Sequence, residues 1–394
     1  MLQKRVIEKL FEQVQIGGFT VKWWDGETKK YGPGPSEVTL HFKDPKVVGR
    51  LAKNLSLGFG ESYMEGLIDV ENGEPGTVVA LANRNKHAFP KYVPKSFLKL
   101  MRGVTVGASV KQAKSDIHAH YDLGNDFYKL WLDRDWIQYT CSYFPNKNAT
   151  LEEAQAFKLE QVKRKLLLKK GMAVTEVGGG WGGLAIYLAK NAGVTVKSFN
   201  ISHEQILYAR AWAKQAGVEK HVEFIEDDYR NSNHECDRFV SVGVFEHVGR
   251  PNHAEYFKTV KRQLKDGGVS VLHTITTDLE RPTDPWIGKY IFPGGYIPSW
   301  REVVNALPNY DFHLTDAESL RMHYAITLDE WDRRFEQHVD EIRKERGEKF
   351  VRMWRLYLQA SAASFRYSGL DLHQFVFTNG LNNALPLCRK YLFK

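Results

Sequence analysis

Apolar and polar residues alternate through GGFTVKWWDGETKKYGPGPSEVTLHFKD, residues 17–44, with turns marked by Asp25-Gly26 and by the Gly/Pro cluster at 32–35. A period of two bounded by such turns predicts short strands. Ahead of them, MLQKRVIEKLFEQV places Val6, Ile7, Leu10, Phe11 and Val14 on one side of a helix. Behind them, KVVGRLAKNLSLGFGESYMEG (46–66) predicts a helix running into a glycine-punctuated loop. Residues 1 to about 85 therefore read as a small α+β module. Beyond residue 115 short apolar runs at 173–177, 194–199, 222–225, 239–242 and 269–274 are separated by helix-length stretches. That alternation predicts an α/β domain, a mostly parallel sheet covered by helices on both faces. Runs at 312–314 and 374–377 read as two closing strands.

Composition is ordinary for a globular chain, with 43% hydrophobic and 26% charged residues in 394. No apolar run approaches the ~20 residues of a membrane span. The N-terminal segment carries acidic residues and no small-residue cleavage site, which argues against a secretion signal. Three cysteines, at 141, 236 and 388, lack metal-ligand spacing, and His118 and His120 have no neighbours that complete a ligand set. A reducing cytoplasm suits so few cysteines, and no metal is expected.

Charge changes the picture at one place. Between Glu74 and Asp116 there is no acidic residue, yet Arg84, Lys86, Lys91, Lys95, Lys99, Arg102, Lys111 and Lys114 fall there and match the net charge of +8. Phe89, Tyr92, Phe97, Leu98 and Met101 are interleaved. Such a stretch suits either a solvated connector or an anionic lipid surface. No nucleic-acid motif accompanies it, so no nucleic-acid partner is expected. GVTVGASV (103–110) reads as a linker.

The chemistry centres on TEVGGGWGGLAIYLAK, residues 175–190, a strand, a glycine turn and a helix start. Gly178, Gly180 and Gly183 fit a dinucleotide fingerprint. Counted from Glu176, the same letters fit the acidic, glycine-rich turn of an S-adenosylmethionine site. Both ligands need a backbone that turns tightly at a helix N-terminus. A dinucleotide site also wants an acid at the end of the second strand, and VTVKSFN ends without one. The turn alone leaves both readings open and leans to S-adenosylmethionine.

HYDLGNDFYKLWLD (120–133), QYTCSYF (138–144), VGGGWGGLA (177–185), NISHEQ (200–205), SVGVFEHVG (241–249), VLHTI (271–275), YIFPGG (290–295) and SFRYSGLDLHQFVFTNG (364–380) occur in that order. Together they resemble the cyclopropane-fatty-acid synthase family, which includes the mycolic acid cyclopropane synthases. LGFGESYMEGLID (57–69) resembles the extra N-terminal domain of the phospholipid-modifying branch. The resemblance implies a class I methyltransferase fold with a Rossmann-like seven-stranded sheet. It divides the chain into an N-terminal accessory domain (1–102), a linker (103–114) and a catalytic domain (115–394). It implies transfer of a methylene from S-adenosylmethionine to a cis double bond of a phospholipid acyl chain. Alternatives are a lipid methyltransferase that stops at a methyl branch, and a non-catalytic lipid-binding protein.

The same resemblance implies roles for particular residues. Cys141, Glu246, His273, Tyr324 and the backbone at Ile275 would hold a bicarbonate ion that acts as base. Tyr139, Thr140, Glu176, Gly178, Gly180, Gly182, Asn200, Ile201, Gln205 and Tyr229 would contact S-adenosylmethionine. His247 reads as structural. Aromatic residues in the motifs, including Tyr143, Phe245, Phe292 and Tyr296, suit a cationic intermediate, although most such residues pack cores. The loop 290–298 and the helices of 326–366 read as a wall for the acyl chain. A homodimer, attached peripherally to the inner face of the cytoplasmic membrane, is the implied assembly. Four positions depart from the family pattern: Glu176 stands where Asp is commoner, Gly179 where Cys is usual, and Lys197-Ser198 where an apolar residue and Gly are usual.

Overall fold

The computed structural model describes residues 2–88 and 123–393. The linker and the basic residues Lys91, Lys95, Lys99, Arg102, Lys111 and Lys114, with His118 and His120, lie outside them. The chain divides into two compact units: 1–104 with 282–293 and 328–369, and 105–281 with 294–327 and 370–394. The helices of 328–369 thus group with the N-terminal module, and the loop 290–298 is divided between the units.

The first unit holds a four-stranded sheet of β1 (Phe19–Lys22), β2 (Thr28–Tyr31), β3 (Thr39–Phe42) and β4 (Ile68–Glu71), in the order β2-β1-β3-β4. β1 pairs antiparallel with β2 and parallel with β3. Val21, Trp23, Phe42, Val47 and Ile68 form its core. From the N-terminal apolar face, Ile7 and Val14 are buried there, whereas Val6 is exposed.

The expected loop through LGFGESYM is instead a helix, Leu55–Met64, which follows the helix Lys46–Lys53. Its glycines serve packing. A Cβ on Gly58 would sit 2.5 Å from the Arg50 carbonyl, and one on Gly60 would overlap the Trp286 indole. Arg352, from the helix Glu348–Tyr367, donates to the carbonyl oxygens of Tyr63 (3.0 Å) and Ile68 (3.3 Å) and pairs with Asp69 at 2.9 Å. These bonds join the late helix to the N-terminal strands within this unit.

The second unit is built on β5 (Ala173–Val177), β6 (Thr195–Asn200), β7 (Val222–Glu226), β8 (Cys236–Val242), β9 (Leu264–Thr277), β10 (Phe312–Ser319) and β11 (Leu370–Asn379). All seven expected strands are present, in the order β10-β11-β9-β8-β5-β6-β7. The five central and distal strands are parallel; β11 runs antiparallel between β9 and β10. Side chains alternate between two cores, with Val269 and Val271 of β9 on one face and Leu272 on the other. The order reverses at β5, between β6 and β8, so a crevice opens beyond the carboxyl ends of those strands.

Gly60→Ala should lower stability by about 1–3 kcal/mol, because its Cβ has no space beside Trp286. Gly288→Ala, whose Cβ would meet Thr283 at an ordinary 3.7 Å, is the control. Urea midpoints compare them; equal midpoints would contradict the packing role assigned to Gly60.

Candidate active site

The glycine turn lies at that crevice. Gly178, Gly180 and Gly182 all have positive φ, at 78°, 52° and 94°. A side chain on Gly178 would overlap Val244, and one on Gly182 would meet Phe224 at 2.8 Å, so backbone geometry and space both demand glycine here. Tyr139, Thr140, Glu176, Gly178, Gly180, Asn200, Ile201, Gln205 and Tyr229 line one cavity. Gly182 does not line it; it opens the helix Gly183–Ala192 behind the turn. β6 ends on an amide instead of an acid. Asn200 Nδ2 donates to Gly180 O (3.1 Å) and to Gln205 Oε1 (2.9 Å), which ties the second strand to the turn.

The same cavity holds residues the sequence reading passed over: Gln138, Trp181, Asp227, Asp228 and His247. Asp227 and Asp228 follow β7, so their place beyond a carboxyl strand end was available as a signal. Asp228 is paired with Arg230 at 2.6 Å. His247, read as structural, is a lining residue.

Three of the four departures from the family pattern form one group, and the fourth, Lys197, pairs instead with Glu223 at 3.5 Å. Ser198 Oγ donates to Glu176 Oε2 at 2.6 Å. A Cβ on Gly179 would overlap Ser198 Oγ and lie 3.2 Å from Glu176 Oε2. The serine hydroxyl therefore fills the space of a side chain at 179 and partners the longer carboxyl at 176. Burial pushes Glu176 up to about 7, against the pull of Ser198 and of Lys158.

Lys158 anchors the segment carrying Tyr139 and Thr140. It is fully buried in the helix Leu151–Lys165 and donates to Gln138 Oε1 (2.5 Å) and Thr140 Oγ1 (3.1 Å). Burial lowers its pKa, and Asp133, Cys141 and Glu176 oppose that shift. Asp133 in turn accepts from the N–H groups of Trp136 and Gln138, each at 2.7 Å.

Of the five residues that the resemblance assigns to catalysis, Glu246, His273 and Ile275 meet at the carboxyl end of β9. Ile275 N–H donates to Glu246 Oε1 at 2.6 Å. His273 sits two residues back on the same strand face and is fully buried. Leu372 lies opposite Ile275 on β11, and its carbonyl accepts from Leu320 N at 2.7 Å. The Leu320 carbonyl accepts from Tyr324 N (3.0 Å) and faces Cys141 Sγ at 3.9 Å. A row of backbone contacts across the sheet thus connects Ile275 with the segments that carry Tyr324 and Cys141. It adjoins the cavity, since Cys141 follows Thr140 and Gly243 N–H donates to His273 O at 2.9 Å.

The electrostatics of this cluster are those of a dry site. Burial pushes the Cys141 thiol up, so it stays protonated. Burial raises Glu246 to about 7, against the Ile275 N–H bond. Burial holds His273 well below its ordinary value, with Lys158 and Lys165 adding to the effect. Glu246 Oε2 and His273 Nε2 are buried without a hydrogen-bond partner. The resemblance assigns the Ile275 N–H to an anion; in this structure Glu246 Oε1 takes it. Buried polar atoms are normally satisfied, so these two keep hydrogen-bonding capacity that a polar ligand could take up.

Of the aromatic residues, Phe245 stacks on His253 in the core, Phe292 packs on Tyr357, and Tyr296 donates to Glu302 at 2.9 Å. These three have packing or hydrogen-bonding roles. Tyr139 lines the cavity, and Tyr324 is nearly buried beside Leu320.

A family profile described as mycolic acid cyclopropane synthetase matches residues 108–375, and a domain of unknown function matches residues 6–92. The chain is 37% identical over 367 residues to the cyclopropane-fatty-acyl-phospholipid synthase of Escherichia coli strain K12, covering 91% of this chain and 92% of the relative. The solved structure of the cyclopropane synthase MmaA2 from Mycobacterium tuberculosis matches with a TM-score of 0.64 and 32% identity, over 67% of this chain and 98% of that one. The mycolic acid cyclopropane synthase CmaA1, solved with SAH and CTAB, matches with a TM-score of 0.64 and 30% identity, over the same shares. The seven-stranded sheet is accordingly the methyltransferase fold expected from the sequence.

Two outcomes follow from the geometry. Gly179→Ala should destabilise the protein by about 1–3 kcal/mol, and Ser198→Gly in the same chain should recover most of that loss. Additive effects in a double-mutant cycle on thermal stability would contradict the shared space. For Glu246, a carboxyl whose pKa rises on folding holds its proton more tightly in the native state. Its contribution to stability therefore falls as pH rises from about 4.5 to about 7 and is fully lost above that. Glu246→Gln should flatten the pH dependence of urea-unfolding stability in that window, by up to about 3 kcal/mol. An unchanged slope would contradict the buried, raised carboxyl.

Proposed function

Because the chain belongs to the mycolic acid cyclopropane synthetase family, we propose that it transfers a methylene unit from S-adenosylmethionine to the cis double bond of an unsaturated phospholipid acyl chain, closing a cyclopropane ring. The observation that carries this reading is the adjacency of the glycine-turn cavity to a buried cluster with two unpaired polar atoms, Glu246 Oε2 and His273 Nε2.

The residues fit the cofactor. Gly178 and Gly180 let the backbone approach a ligand closely, and Asn200 and Gln205 offer amides where a dinucleotide site has an acid. S-adenosylmethionine supplies an electrophilic methyl group. An alkene that accepts it becomes a carbocation, and a proton must then leave the new methyl group for the ring to close. The chain answers both demands by excluding water: Cys141 and His273 are fully buried, and so is the Oε2 atom of the half-buried Glu246.

The fit to bicarbonate, which would supply the base, is also good. A neutral His273 offers a hydrogen to an anion and Tyr324 adds a phenol, while the Cys141 thiol, which donates to the Ser142 carbonyl at 3.1 Å, would have to turn to add another. Glu246 Oε1 is fixed by Ile275, leaving Oε2 to accept the hydroxyl hydrogen of the anion. The backbone at Ile275 thus orients the acceptor.

A phospholipid chain starts in a bilayer, and among the described residues no helix is long and apolar enough to cross one. We extend the proposal to docking on an anionic membrane through the acid-free stretch 84–114, by a homodimer on the cytoplasmic side. Reversing four of its charges should weaken sedimentation with anionic vesicles at least tenfold, by the ~1 kcal/mol each contributes near such a surface. Unchanged sedimentation would overturn the docking role.

The activity itself is tested with cis-monounsaturated phospholipid vesicles, methyl-labelled S-adenosylmethionine and bicarbonate, reading acyl chains by mass spectrometry and proton NMR. A gain of one CH2 with upfield ring protons is expected, and Glu246→Ala should abolish it. The same mass gain with a methyl doublet would overturn ring closure in favour of a branched product.

A further inference from the structure

A chain of buried polar groups runs from His273 to the surface of the second unit. Gln374 lies opposite His273 in the β9–β11 register, and Glu318 lies opposite Gln374 in the β10–β11 register. Gln374 Nε2 is 3.0 Å from His273 Nδ1. On its other side, Gln374 Oε1 is 2.6 Å from Lys165 Nζ. Lys165 is 0% exposed, reaches over from the helix Leu151–Lys165, and also pairs with Glu318. Tyr143 OH closes the chain on Glu318 Oε1 at 2.9 Å.

We propose that Lys165 and Gln374 are positioning residues that hold His273 as the neutral tautomer with its hydrogen on Nε2, aimed as a donor into the catalytic cluster. The argument is one of donors and acceptors. An ammonium has three hydrogens and no acceptor, so only the Gln374 oxygen can face Lys165. The Gln374 amide nitrogen must then face His273, and an NH2 only donates. His273 Nδ1 is therefore the acceptor, and a neutral imidazole that accepts at Nδ1 carries its hydrogen on Nε2. That is the buried nitrogen left without a partner. Glu318 neutralises Lys165, so the fixed direction comes without an uncompensated charge in the interior. The relay rests on the reading of the site as an anion-holding one: without it, Nε2–H would face an acceptor-free wall.

The test reads hydrogens and not turnover alone. Two-bond nitrogen–proton NMR on full-length, 15N-histidine-labelled protein, without cofactor or lipid, should give His273 an unprotonated Nδ1 and a protonated Nε2. Signals are assigned by their loss in His273→Gln. Neutron diffraction of the unaltered protein gives the same answer should that variant not fold. Gln374→Glu keeps the shape and replaces the donor with an acceptor. It should move hydrogen onto Nδ1 and weaken bicarbonate, followed by 13C-bicarbonate line broadening, by about 10- to 100-fold. Lys165→Met frees the amide to turn and should give a mixture of tautomers. Hydrogen on Nδ1 in the unaltered protein, or an unchanged tautomer in Gln374→Glu, would overturn the relay. An Nε2–H tautomer that responds to both variants, in a protein whose turnover ignores bicarbonate, would uphold the relay and remove the bicarbonate reading instead.

Discussion

The hydrogen bond from Ile275 N–H to Glu246 is the contact on which the site depends. β9 is the strand where the sheet changes from parallel to antiparallel pairing, with β8 on one side and β11 on the other. At its carboxyl end the Ile275 N–H is turned to a side chain. The carboxyl that takes it comes from the short helix Phe245–Val248 after β8. The bond therefore holds two adjacent strand ends to each other at the mouth of the crevice. Oε1 is spent on the backbone, and Oε2 is left buried without a partner.

Around that bond the protein places several ionisable groups where water cannot reach them. Lys158 and Lys165 occupy the same helix and are both 0% exposed. Burying a charge is costly unless each hydrogen finds an acceptor. Here one lysine locks the segment that carries Tyr139 and Thr140, and the other locks the amide beside His273. The helix Leu151–Lys165, which contributes no residue to the cavity lining, fixes both halves of the site from behind.

The region under the glycine turn shows how departures from a family pattern become intelligible as a set. Glu176, Gly179 and Ser198 each look like a defect when read alone. In three dimensions the Ser198 hydroxyl occupies the volume that a side chain at 179 would need and donates to the longer carboxyl at 176. This side of the turn keeps its shape through compensation between two side chains, Glu176 of β5 and Ser198 of β6, and the glycine at 179.

By itself the sequence determined the class of the second unit. Short, nearly continuous apolar runs separated by helix-length segments yield a mostly parallel sheet, because strands buried on both faces need that composition. It also determined the glycine turn, since Gly178 and Gly182 adopt a backbone region that other residues enter at a cost. The order of motifs pointed to Cys141, Glu246, His273 and Tyr324, but the row of bonds from Ile275 through Leu372 to Leu320 that connects their segments is visible only in three dimensions. Only the tertiary structure decided what is non-local. It made LGFGESYM a helix, because tight packing against Arg50 and Trp286 overrides the turn signal of its glycines. It grouped 328–369 with the N-terminal module through Arg352 and Gln359, pairings with sequence separations of more than 280 residues. It placed Lys165 against Gln374 and His273, a contact that no local periodicity encodes, because it arises from strand register and helix packing together.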